Sequence, residues 1–148
     1  NLIVTQTLSK AYGLAGIRLG ICYASQAIIT ILNKIKPPYN INTLTQETAL
    51  KTLQNRDKVA NQITTVLEER SRLIKAFETY SFIKKIYPSE ANFILIQVDD
   101  ANTRYTQLIE KGFVVRNRSS QLHCENCLRI TVGTPSENTH LLTQLKTL

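Results

Sequence analysis

The chain has 148 residues, 43% of them apolar, and a formal net charge of +7, a length that suits one domain or a piece of a larger protein. Its basic residues are scattered, Lys84-Lys85 is the only lysine pair and no dense basic run is interleaved with aromatics, so the charge does not describe a nucleic-acid surface. No apolar stretch approaches the ~20 residues of a membrane span, and the 3 cysteines, an odd number, argue against a disulfide framework and fit a reducing cytoplasm.

Leu2 to Thr5 is short, apolar and β-branched, and reads as a buried strand. A glycine-rich loop follows, and Arg18 to Ala24 alternates as a second strand. Ser25 can cap a helix through about Lys36, which Pro37-Pro38 ends. Thr43 to Leu53 is a helix. From about Arg56, the residues Val59, Ile63, Val66, Leu67, Ile74 and Phe77 recur near the helical period and predict a long amphipathic helix. Phe82 to Tyr87 and Asn92 to Val98 are strand-like. Thr103 to Lys111 is helical and stops at Gly112, a residue suited to a left-handed terminator. Gly112 to Arg116 and Leu128 to Val132 are the last strands. Thr134-Pro135-Ser136-Glu137 starts the final helix with a capping box and a proline at its first position. Strands mixed with helices give an α/β sandwich, a sheet with helices on one side.

The chemistry concentrates in Thr7-Leu8-Ser9-Lys10-Ala11-Tyr12-Gly13-Leu14-Ala15-Gly16-Ile17-Arg18-Leu19-Gly20. Lys10 offers an amine that, when neutral, condenses with an aldehyde. Thr7, Ser9 and Arg18 offer donors for a phosphate. The pattern S-K-x-x-G-L-A-G-x-R-x-G resembles the cofactor-lysine segment of the fold-type I, class II aminotransferases, which depend on pyridoxal 5'-phosphate (PLP). Four further strings, "PPYNIN" from Pro37, "EANFILI" from Glu90, "VVRNRS" from Val114 and "CLRITVGTPSEN" from Cys127, resemble the histidinol-phosphate aminotransferase family in the same order.

The resemblance implies an α/β chain that is the C-terminal part of a fold-type I PLP-dependent transferase. Residues 1–36 would be a remnant of the large cofactor domain, 37–78 the loop and bridging helices, and 79–148 the small α/β domain. The absence of any methionine and the opening on Asn1-Leu2-Ile3-Val4 agree with a piece of a longer polypeptide. By the same resemblance Lys10 is the catalytic, cofactor-bearing lysine, and Thr7, Ser9 and Arg18 hold the cofactor phosphate. Arg129 and Arg116 grip the anionic end of the substrate, the phosphate of histidinol phosphate or a carboxylate of glutamate. Arg118 is left outside that set. The implied reaction exchanges an amino group between histidinol phosphate and 2-oxoglutarate, in a full-length cytoplasmic homodimer. This piece alone would be inactive.

Other readings stand beside these. Turn chemistry accounts for Thr7 and Ser9, and ordinary surface pairing for the arginines. Tyr39, Asn40 and Asn42 lie near the dimer interface in the family, but a plain turn also explains them. Asn92 caps a strand end or faces a pocket. His123, Cys124 and Cys127 are too few for a closed zinc site, so this segment reads as a β-turn with buried thiols and no metal is expected. Another class I/II aminotransferase or a threonine-phosphate decarboxylase-like enzyme is the alternative within the fold. A catalytically silent binding module is the alternative outside it.

Overall fold

β-branched Ile3, Val4, Thr5 and Thr7 make strand β1 (Ile3–Thr7), which pairs antiparallel with β2 (Gly20–Ala24) in the register Ile3↔Ala24 to Thr7↔Gly20. The computed structural model describes all 148 residues, which divide into two units, Asn1–Ile63 and Thr64–Leu148. The expectation of a buried first strand is corrected: every residue of β1 is exposed. Its sheet has only two strands, so nothing in this unit covers the apolar run. The second strand also begins later than the alternation predicts. Arg18 adopts a left-handed φ of 55° that closes a short 3-10 turn (Ala15–Ile17), and this keeps it out of β2.

Helix α1 (Gln26–Ile35) follows, with Ser25 at its N-cap position but without a side-chain capping bond. Lys36 is already extended, as the residue before a proline must be. Asn42 caps α2 (Thr43–Gln54), its Oδ1 accepting from Thr45 N–H at 2.9 Å. Helix α3 (Arg56–Phe77) runs for 22 residues, and the division between the units falls within it. Among apolar residues of the first unit, only Leu8, Ala49 and Val59 are buried.

The second unit is an antiparallel sheet of β3 (Ile83–Ile86), β4 (Phe93–Val98), β5 (Arg116–Asn117) and β6 (Cys127–Thr131), in the order β3-β4-β6-β5. Period-two alternation sends Ile94, Ile96, Val98, Leu128 and Ile130 to one face. There they pack with Leu73 and Phe77 of α3, Leu108 of α4 (Ala101–Glu110), and Leu141 and Leu145 of α5 (Pro135–Leu145). Each large side chain removed from water there contributes about 1.5–3 kcal/mol.

The ends of α4 explain two differences from the sequence reading. Asp100 Oδ1 accepts from Thr103 N–H at 2.7 Å and caps the helix at Ala101, ahead of Thr103. Gly112 stops it with φ 84°, and Phe113 N–H bonds back to Leu108 O at 2.8 Å. Residues 113–115 are thereby drawn into the helix exit, so the strand expected from Gly112 to Arg116 shortens to Arg116–Asn117. The capping box of α5 forms as read: Thr134 Oγ1 accepts from Glu137 N–H and Glu137 Oε2 from Thr134 N–H. No helix is long and apolar enough to cross a membrane.

Candidate active site

The register of the first hairpin gathers its chemical groups. Leu8 N–H bonds Leu19 O at 3.4 Å, one step beyond the Thr7↔Gly20 pair. Ser9, Lys10 and Arg18 therefore stand at the same end of the hairpin. Beyond Lys10 the chain turns sharply, with Gly13 N–H on Lys10 O at 2.9 Å and Gly13 at φ 66°, a conformation glycine takes without a steric penalty.

Thr7 Oγ1 accepts from Ser9 N–H at 3.1 Å, so the turn chemistry open in the sequence is present. It uses a lone pair of the hydroxyl and leaves its proton free to donate to an anion. Arg18 Nη1 donates to Ala15 O at 3.2 Å, and its remaining N–H groups are free of any carboxylate. Lys10 and Arg18 are both exposed and unpaired by acids. An amine, hydroxyls and a guanidinium on one loop are the donor set that a phosphorylated aldehyde requires, so these residues fit PLP.

The second unit carries the other cations. Arg116 and Arg129 are direct cross-strand partners, so both project from the sheet face opposite the core. Arg129 Cζ lies 4.7 Å from the centroid of the Phe93 ring, a cation–π contact. Its Nε is buried and has no hydrogen-bond partner. Burial, with the fields of Arg116 and Arg118 added, lowers the pKa of the Arg129 guanidinium from its ordinary value. It stays charged, because arginine keeps its proton in proteins. A half-buried cation facing other cations, with an idle donor, has the chemistry to receive an anion.

The remaining candidates take structural places. Asn42 is the α2 cap, and Tyr39 is 98% exposed at a left-handed φ of 56°. Asn92 O accepts from Val132 N–H at the mouth of β4. Cys127 N–H bonds Cys124 O at 3.0 Å in a β-turn, with both thiols free, Cys127 buried and Cys124 half-buried. Phe93, which the sequence reading does not single out, proves to be the ring under Arg129. Its signal is the i, i+2 alternation that opposes it to Ile94.

A family model described as aminotransferase class I and II matches residues 1–145. The histidinol-phosphate aminotransferase of Flavobacterium johnsoniae is 60% identical over 148 residues, 100% of this chain and 42% of that relative. The chain thus spans well under half the length of that curated relative. The crystal structure of the histidinol-phosphate aminotransferase from Clostridium acetobutylicum superposes with a TM-score of 0.87 at 23% identity, covering 99% of this chain and 45% of the other. That from Sinorhizobium meliloti, in complex with pyridoxal-5'-phosphate, gives 0.82 at 21%, covering 99% and 42%. These two likenesses establish the α/β fold. With the family model matched from Asn1 to Leu145, the chain belongs to the class I and II aminotransferases.

Proposed function

We propose that the whole protein transfers an amino group between L-histidinol phosphate and 2-oxoglutarate, with PLP as cofactor, as a step of histidine biosynthesis. The observation that carries this reading is the 60% identity to a histidinol-phosphate aminotransferase over every residue of the chain. Lys10 is the covalent attachment point. Thr7 and Ser9 donate hydroxyl protons to the cofactor phosphate, and Arg18 supplies a planar fork of N–H donors with a charge. When bound, PLP supplies an electron sink for the carbon that loses its proton. Lys10 Nζ, as a free amine, would accept that proton and give it back. Arg129 and Arg116 hold the anionic end of the substrate. The partners are these small molecules, and the whole enzyme works as a cytoplasmic homodimer. The 148 residues alone have little or no activity, because the Lys10 loop is supported by only a two-stranded, exposed hairpin.

The test is steady-state turnover of the full-length protein with histidinol phosphate and 2-oxoglutarate, beside Lys10→Ala. Borohydride should fix the cofactor to Lys10 in the parent enzyme and leave the variant unlabelled. Turnover by Lys10→Ala at the parent rate would overturn the reading.

A further inference from the structure

Only two buried side-chain polar atoms in the chain lack a hydrogen-bond partner, Arg129 Nε and Ser119 Oγ. Arg129 lies on β6, and the sheet register shows which cations share its face. Arg118 N–H bonds Cys127 O at 2.8 Å, which extends the β5–β6 ladder one step beyond Arg116↔Arg129 and Asn117↔Leu128. Strand alternation then puts Arg118 on the face that carries Arg116 and Arg129. Asn117 goes the other way, its Nδ2 donating to Asn102 Oδ1 of α4 at 2.8 Å. Three guanidinium groups therefore share one edge of the open sheet face. None of them is in an ion pair, although Arg70, Arg72 and Arg104 in the same unit each have a carboxylate. Like charges directly across a ladder repel. An edge with three of them and an idle buried N–H is satisfied by an anion with more than one charge and more than two acceptor oxygens.

We propose that Arg118 is a specificity-determining residue that completes, with Arg116 and Arg129, a subsite for a phosphate dianion, and that Arg118 makes this subsite prefer a phosphate to a carboxylate. The proposal rests on the functional reading above and names which part of the site selects the phosphorylated substrate. A carboxylate has two oxygens and one charge, and Arg129 with Arg116 already satisfies both. A phosphate monoester has a third free oxygen and a second charge, which Arg118 meets.

The test uses the full-length holoenzyme and its variants Arg118→Gln and Arg118→Lys. The ratio of kcat/KM for histidinol phosphate to kcat/KM for glutamate should fall about tenfold in Arg118→Gln, from loss of one charge-assisted contact. It should fall less in Arg118→Lys, which keeps the charge and loses the fork. Inorganic phosphate, titrated by calorimetry against acetate, gives a second measure that needs no turnover. Its affinity should drop about tenfold in Arg118→Gln and its salt dependence should weaken. If the parent enzyme does not turn over histidinol phosphate but phosphate affinity still falls in the variant, the subsite stands and the functional reading fails. If the parent turns over and Arg118→Gln keeps both the substrate ratio and the phosphate affinity, the subsite proposal is wrong. If Arg118→Gln does not fold, Arg118→Lys decides the matter, and parental values of both the ratio and the phosphate affinity in it overturn the proposal.

Discussion

Asn138 is tied to Glu69 inside the second unit: its Nδ2 donates to Glu69 Oε2 at 2.7 Å, with the two residues 2% and 8% exposed. The same amide donates to Gly133 O and accepts from Gly133 N–H, so one side chain joins α3, the end of β6 and the start of α5. Arg72 neutralises the carboxylate through Nε and Nη2, and also reaches Pro135 O and Thr139. Asn138→Leu would remove one donor from Glu69 Oε2, which keeps Arg72, and would take the side-chain partner from both backbone groups of Gly133. The expected loss is about 2–4 kcal/mol of unfolding free energy, set by unpaired buried polar groups. Urea unfolding of the two proteins measures it. Asn138→Asp should be worse than a neutral replacement, since it sets two carboxylates together. An Asn138→Leu midpoint equal to the parent's would show that the contact carries no stability.

Acid should loosen this unit in a definite window. Arg104 hydrogen bonds, Nε to Oδ1 at 2.9 Å and Nη2 to Oδ2 at 2.7 Å, hold the Asp99 carboxyl down to about 2 from an ordinary 3.8, against an opposing burial effect. Glu69 is lowered too, first by its hydrogen bond to Arg72. A group lowered on folding contributes stability that is complete above its unfolded value and is lost as pH falls through its folded value. For Asp99 that loss spans pH 3.8 down to about 2. Unfolding midpoints of the parent should fall steadily across this span. In Asp99→Asn the slope should be shallower there and unchanged near neutrality. Equal slopes would show that the Arg104 pair is not responsible.

The cofactor loop makes a separate prediction for the full-length enzyme. Arg18 has N–H donors to spare after its bond to Ala15 O. Removing it should weaken PLP binding about 10- to 100-fold, the size of a charge-assisted bidentate contact. Arg18→Lys should recover part of that. Thr7→Val removes a smaller donor and also the acceptor of Ser9 N–H. Thr7→Ser should keep both. Absorbance titration of the apoenzyme with PLP ranks the four variants. Arg18→Ala with parental affinity would remove Arg18 from the phosphate site.

Local chemistry was legible in the sequence, and neighbours were not. The Thr134 capping box and the Gly112 stop depend on a few adjacent residues, and both stand where the sequence puts them. The exposure of β1 could not be read from Ile3 and Val4, because burial depends on what lies across the sheet. The same holds for the arginines. "VVRNRS" shows Arg116 and Arg118 with strand spacing, but only the pairing with Cys127 and Arg129 reveals that they share a face and that the Phe93 ring lies beneath Arg129. The resemblance pointed to Arg116 and Arg129 and passed over Arg118. Register was the missing information.

The two units should differ in stability when the 148-residue chain is prepared by itself. The second has a continuous core of buried residues from α3, the sheet, α4 and α5. In the first, Leu2, Ile35 and Leu44 are over 70% exposed, and Ile3, Val4, Ile31 and Leu50 are near half or more. Apolar area left in water contributes nothing to folding, and a hairpin of two strands is marginal without a layer against it. Its unpaired edges also invite self-association. Hydrogen exchange of the isolated chain should therefore show slow amides in β4, β6 and the C-terminal turns of α3, and fast ones in β1, β2 and α1. An apolar dye should bind, and dilution should lower the apparent mass. Equal protection in β1 and β4, in a monomer that binds no dye, would mean that the exposed strand is stable without a cover.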